Sequence, residues 1–237
     1  MAKKIHLLGC IFSPNIGIRE FAVETIVKAD NFDEARFLGR KKCYDAANLF
    51  WFSSGVKINL NNSKDKISEE GTDKIQGMAS IPCKLHISNN TPITMEELTE
   101  IENVHKTILN TKNEEREILI RSVHWWSLSK GETDNIDCFI KLWISLETLF
   151  ERNNIGKKVT NELTEIYPKI KRENITKSFR PIKNIRNDIV HEGLRNPNKI
   201  LGYNGKLEAI LEDILSFRLG MNLKRRSEKY LHKQPFE

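Results

Sequence analysis

The sequence predicts an α+β protein that is mostly α: a small mixed α/β N-terminal domain followed by an all-α helical bundle. Three observations carry this. Short apolar and alternating stretches crowd the residues before Asn90. Long segments with helical spacing fill the rest. The change of character coincides with Asn89-Asn90 and the capping signal just after it. The expected organisation is 1–100 for the N-terminal domain, 101–222 for the helical domain and 223–237 for a basic tail.

Lys4 to Phe12 reads as a short apolar strand ended by Ser13-Pro14. Leu7-Leu8-Gly9-Cys10 resembles a lipoprotein cleavage box, but the apolar run before it is too short for a signal-peptide core. Arg19 to Lys28 alternates Phe21, Val23, Thr25 and Val27 on one side, which suits a half-buried strand. Asn31 can cap a helix from about Asp33 to Phe50, with Ala35, Leu38, Ala46, Leu49 and Phe50 as its apolar stripe. Gly55 closes this unit, and Val56 to Leu60 reads as another strand. Residues 61–73 read as a polar loop. Lys74 to Ser80 and Cys83 to Ser88 read as strands on either side of Pro82.

Thr94-Met95-Glu96-Glu97 is a capping box that starts a helix running to about Asn110. A second helix spans about Glu114 to Ser129 and ends at Gly131. A third runs from Asp134 to about Arg152, and its apolar positions cover nearly all sides, the mark of a buried helix. A fourth spans Lys157 to Tyr167, before Pro168. Pro181 suits the first position of a fifth helix, which Gly193 can end. A sixth runs from Gly205 to Gly220.

Composition excludes several classes. The chain has 237 residues, 39% hydrophobic and 30% charged, which is too apolar for a disordered chain. No apolar stretch is long enough to span a membrane. Cys10, Cys43, Cys83 and Cys138 form no Cys-x-x-Cys pair, and the six histidines form no metal-ligand spacing. The expectation is a cytoplasmic protein without a metal site or cofactor.

Net charge is +6, and one segment carries a share equal to the whole. Between Pro168 and Arg186 lie Lys169, Lys171, Arg172, Lys177, Arg180, Lys183 and Arg186, against Glu173 alone. This run is either a solvated face or a phosphate-binding one. Lys224-Arg225-Arg226, with Lys229 and Lys233, forms a second basic cluster.

Two features carry chemistry. Glu147 sits in the most apolar helix, four residues after Trp143, and a buried carboxylate needs a partner. It can pair with a cation simply to hold two helices, or it can orient a catalytic group. The second feature is Arg186-Asn187-Asp188-Ile189-Val190-His191. Ile182, Ile185 and Ile189 anchor this helix, so Arg186, Asn187 and His191 occupy its polar side. Asn187 and His191 are helical neighbours. The bland alternative is a His favoured by the helix dipole and an Arg in a surface ion pair.

Arg-Asn-x-x-x-His on a late helix resembles the signature of the HEPN superfamily. Upstream, His124-Trp125-Trp126 and the helix Asp137 to Phe150, with Trp143, Glu147 and Phe150, resemble the Apea-like branch of that superfamily. The resemblance covers about residues 113–222. Phe32 to Phe52 is similar, more loosely, to a helix that precedes such domains. One position departs: members modified on a Tyr carry it two residues after the His, and here Gly193 stands there.

The resemblance implies a HEPN-like helical bundle and a metal-independent endoribonuclease. RNA supplies its own nucleophile, the 2′-hydroxyl, and the products would be a 2′,3′-cyclic phosphate and a 5′-hydroxyl. Imidazole can move the protons. Guanidinium can hold the phosphorane oxygens. The implied catalytic residues are Arg186, Asn187 and His191, with Glu147 orienting either Arg186 or His191. The implied RNA contacts are Lys169, Lys171, Arg172, Lys177, Arg180 and Lys183. It further implies a homodimer that brings two Arg/His sets into one cleft, a toxin or antiviral role, and an antitoxin or regulatory partner. Two other readings stay open: a non-catalytic module that binds RNA, a nucleotide or a partner protein, and a structural or sensor protein whose Arg/His motif stabilises a dimer.

Overall fold

The computed structural model describes residues 5–14, 20–59, 80–85, 94–150, 154–193 and 197–231. They form two compact units, Met1–Thr111 and Lys112–Glu237. The protein is mostly α, with a small antiparallel sheet in the first unit.

In the first unit, β1 (Ile5–Leu7) and β2 (Cys10–Pro14) form a hairpin. The sequence reading joined them in one strand. The turn is Leu8-Gly9, with φ of 53° and 67°, and leucine gives no signal for that left-handed conformation. β3 (Glu20–Thr25) pairs with β2, Phe12 facing Val23 and Cys10 facing Thr25. Helix α1 (Phe32–Ser54) starts on the Asn31 cap, which accepts from Glu34 N, and ends at Gly55 with φ 75°. β4 (Ile58–Asn59) and β5 (Ser80–Leu85) complete the order β1-β2-β3-β5-β4.

β5 runs through Pro82, which faces Ala22 of β3, whereas two strands were expected there. Among the described residues, β4 pairs only with Lys84 and Leu85. Among the described residues, Pro82 therefore has β3 on one side alone, where a residue without an N–H is accommodated. The expected loop 61–73, and residues 74–79 and 86–88 of the expected strands, lie outside the described residues.

Helix α2 (Met95–Asn110) begins on the Thr94–Glu97 capping box. Ile101, Val104 and Ile108 are fully buried. They make α2 part of the first unit, so the division falls after Thr111 and not after residue 100. Phe12 and Phe50 stack at 5.3 Å in the core between sheet and α1.

The second unit is helical: α3 (Asn113–Ser129), α4 (Asn135–Phe150), α5 (Ile155–Ile166), α6 (Arg172–Glu192), α7 (Pro197–Arg218) and the short α8 (Glu228–Leu231). α4 packs against α3, α5, α6 and α7, as its apolar sequence requires. Ser122 and Ser145 allow α3 and α4 to approach closely, and each hydroxyl donates to the other's carbonyl, at 2.9 and 2.7 Å. No helix among the described residues is long and apolar enough to cross a membrane.

Two helix starts need correction. Pro181 lies inside α6, not at its start. An interior proline costs about 3 kcal/mol. Ile175 and Phe179, both buried before it, recover about 1.5–3 kcal/mol each. The helix therefore continues through the proline. Helix α7 begins at Pro197, eight residues before expected, with Pro at its first position.

The segment from 223, read as a basic tail, folds back as far as Leu231, which is fully buried. Asp213 of α7 accepts from Tyr167 Oη at 2.6 Å, Ser227 N at 2.7 Å and Arg226 N at 3.1 Å. This carboxylate latches the C-terminal segment to the bundle. Burial, and then the Asp213 hydrogen bond, push the Tyr167 phenol well above its ordinary range.

Candidate functional site

The site is assembled where α4 and α6 pack. Ile175, Phe179, Ile182 and Ile185 bury one face of α6. Arg186 lies four residues after Ile182, on the flank of that face, and so turns toward α4. On α4 the Trp143 ring stacks on Phe139 at 6.4 Å and on Phe179 of α6 at 6.1 Å. That sandwich fixes the indole, whose Nε1 donates to Glu147 Oε1 at 2.7 Å.

Arg186 Nη2 donates to the same Oε1 at 3.3 Å. Its guanidinium stands over the Trp143 ring, 6.0 Å from the centroid. Arg186 Nη1 reaches Asn187 Oδ1 at 3.4 Å. The Arg186 and Glu147 side chains are 27% and 18% exposed. The guanidinium is thus held on three sides and remains open at its rim. Of the two partners left open for Glu147, the structure pairs it with Arg186.

His191 is exposed, in the last turn of α6. Among the described residues, nothing hydrogen-bonds or ion-pairs with it. Five residues of helix separate it from Arg186, about 140° of rotation and about 7.5 Å of rise. One chain therefore unites Glu147, Trp143, Arg186 and Asn187 and leaves His191 apart. Asn187, one helical turn before His191, joins the two groups on the surface.

The six basic residues expected to meet RNA are all exposed. Arg180 and Lys183 share the open face of α6 with Asn187 and His191. Lys177 is engaged by Glu173 at 2.7 Å, and Arg172 donates to Asn161 of α5. Lys169 and Lys171 precede α6, in the connection from α5. Gly193, in the left-handed conformation with φ 64°, ends the helix two residues after His191.

Trp143 and Phe179 were not among the predicted site residues. The spacing of Trp143 and Glu147 carries the signal for the first, because an indole donor four residues before a carboxylate meets it on a helix. Phe179 gives no such signal, since its contact depends on how α6 crosses α4.

The described residues contain no group of three or more His, Cys, Asp or Glu that could hold a metal ion. Two surface clefts of this unit are lined by other residues, one by Glu208, Glu212, Arg225 and Arg226, the other by Leu149, Lys158, Glu162 and Arg218. The chain matches no family model, no curated protein and no solved structure.

Proposed function

We propose that this protein is a metal-independent endoribonuclease of HEPN type. The observation that carries the reading is the Arg186 guanidinium, clamped by Glu147 and Trp143 at the rim of a face that presents Asn187, His191, Arg180 and Lys183. A fixed cation at the rim of a basic helix face that also carries an exposed imidazole suits phosphate chemistry.

In this reading the basic face of α6 takes the RNA backbone. His191 removes the 2′-hydroxyl proton, and the oxygen attacks the adjacent phosphorus. Arg186 stabilises the charge that develops on the non-bridging oxygens, and Asn187 donates to one of them. The leaving 5′-oxygen needs a proton. A second chain, related by twofold symmetry, would supply it from its own His191 and would bring an Arg186 toward a His191. The RNA ends as a 2′,3′-cyclic phosphate and a 5′-hydroxyl. A toxin or antiviral role, restrained by an antitoxin or regulatory partner, and a cytoplasmic location rest on the family resemblance alone.

The test is incubation with labelled mixed-sequence RNA in EDTA. Wild type should cleave RNA and leave cyclic-phosphate ends, while His191→Ala and Arg186→Ala should not. DNA, which lacks the 2′-hydroxyl, should stay intact. Equal cleavage of DNA would refute the chemistry.

One observation favours a second reading, a module that binds RNA or a nucleotide without turnover. Arg186 and His191 do not meet within the chain, and Arg186 is already satisfied by Glu147. Salt-sensitive RNA binding with no cleavage at any protein concentration would select it.

A further inference from the structure

The segment that follows α7 carries Lys224, Arg225, Arg226 and Lys229 against Glu228 alone. Arg225, Arg226 and Lys229 rim a cleft of about 450 Å³ whose two carboxylates are Glu208 and Glu212. Both acids are already neutralised. Glu212 accepts from Arg226 Nη1 at 2.5 Å, Trp126 Nε1 at 3.1 Å and Lys130 Nζ at 3.2 Å, and Glu208 is engaged by Lys130. Glu228 reaches Arg225 only at 3.8 Å, with both side chains open to solvent, a pair worth little. Lys224 and Lys229 are exposed, and among the described residues no carboxylate pairs with either. Lys224, Arg225 and Lys229 are therefore surplus positive charge.

These cations stand on a fixed turn. Arg225 has a left-handed backbone, φ 49°, which a non-glycine residue adopts at a cost. The Asp213 latch imposes it, because the next two N–H groups, of Arg226 and Ser227, both donate to that carboxylate. The turn sets the Arg225 guanidinium over the Tyr167 ring, 5.9 Å from its centroid. Cations ordered in advance lose little freedom when a ligand arrives.

The segment is also joined to α6. Ser178 Oγ donates to the Tyr230 carbonyl at 3.1 Å, so Ser178 marks the line along which the segment lies on that helix. At 100° per residue, Lys177 stands about 100° round α6 from this line, His191 about 140° and Arg180 about 160°, all in the same sense. Arg186 lies about 80° the other way. Lys177 and Arg180, both exposed, thus span the interval between the His191 face and the C-terminal cations.

We propose that the latched C-terminal segment is the second half of the RNA track: a single strand cut at the α6 face continues past Arg180 and Lys177 and lays its backbone phosphates on Lys224, Arg225 and Lys229. The inference rests on the ribonuclease reading. It extends the substrate from one scissile bond to a single strand several nucleotides long.

The test is filter binding of the whole protein to a single-stranded RNA of about 12 nucleotides, across about 50–200 mM salt. Lys224→Gln with Lys229→Gln should lower the slope of log K against log salt by about 1.4, and adding Arg225→Gln should bring the loss to about 2.1. Lys106→Gln with Lys157→Gln removes the same charge as the double variant from exposed positions elsewhere and should leave the slope unchanged. Circular dichroism checks each fold. The double variant leaves Arg225 on Tyr167, so it decides the matter even where the triple variant misfolds. An unchanged slope in the C-terminal variants, with salt-dependent binding by wild type, overturns the proposal and leaves the ribonuclease reading standing. An equal loss in the Lys106 and Lys157 variant also overturns it, because net charge and not this surface would then be acting. Absence of salt-dependent binding by wild type removes the RNA reading and the proposal together.

Discussion

Trp143 and Arg186 share one acceptor: both donate to Oε1 of Glu147, at 2.7 and 3.3 Å, from two different helices. A single carboxylate oxygen thus couples the packing of α4 to the pose of a cation on α6. Removing the carboxylate strands an indole N–H and a half-buried guanidinium together. Glu147→Leu should destabilise the second unit by about 2–3 kcal/mol. Glu147→Gln keeps an acceptor for Trp143 and should cost less than half of that. Urea titrations give both values. In the proposed reaction, Glu147→Gln should still lower kcat, because it frees Arg186 without unfolding the helix pair.

His191 offers the opposite case. It is exposed and holds no described partner, so stability has little to lose there. His191→Ala should change the unfolding free energy by no more than about 0.5 kcal/mol. RNA cleavage should fall by about 100-fold or more, the usual share of a general base. Unchanged cleavage in a fully folded variant removes His191 from the reaction.

Arg180 and Lys183 flank the same face and should act through charge alone. Each Lys or Arg that neutralises a phosphate on single-stranded RNA contributes about 0.7 to the slope of log K against log salt. The double variant Arg180→Gln with Lys183→Gln should reduce that slope by about 1.4, with stability unchanged. A fluorescence titration at three salt concentrations reads it. An unchanged slope would move the RNA path off this face of α6.

Much of the frame was legible because its signals are local. Asn31, Gly55, Thr94 with Glu97, and Gly193 each cap the helix end that the sequence assigns to them. Local signals failed where packing overrode them. Pro181 looked like a start, yet Ile175 and Phe179 before it bury on the same face as Ile182. Leu8 is no turn former, and its left-handed φ follows from the pairing of β1 with β2. At the site, Glu147 was found by asking why a carboxylate sits in an apolar helix. The same question put to Asp213, buried between Glu212 and Ile214, would have found the latch on Ser227 and corrected the tail. The choice of Arg186 over His191 as the partner of Glu147 was also readable. Arg186 lies four residues after Ile182, beside the core face, whereas His191 lies on the far side.

The latch has its own alkaline signature. Tyr167 is hydrogen-bonded to Asp213, and its phenol is pushed above its unfolded range. Ionising it in place would bury a second negative charge beside the carboxylate. The stabilisation is therefore complete below the ordinary tyrosine range, about pH 10, and is lost as pH rises above it. The second unit should soften steeply above that point, and Tyr167→Phe should remove the steepness while lowering stability at neutral pH. Denaturation curves from pH 8 to 11, read by the near-ultraviolet signal of Trp126 and Trp143, test this.

The first unit should fail at the acid end, for a reason that runs the other way. Among the described residues, the buried Nδ1 of His105 on α2 has no hydrogen-bond partner. Burial lowers the His105 pKa, and the charge of His6 on β1 lowers it further. The unfolded chain therefore takes up the proton more readily than the folded one. The stability that neutral His105 contributes is complete above the ordinary histidine value, about 6.5, and declines as pH falls below it toward the lowered folded value. The first unit should thus loosen between pH 6.5 and 5, with α2 leaving the sheet first. The second unit should hold through the same window. Hydrogen exchange resolved by segment separates the two. His105→Asn, which cannot take up a proton in this range, should flatten the acid limb in α2 and β1 and leave the second unit unchanged. An acid limb of undiminished slope in that variant would assign the proton uptake to another group.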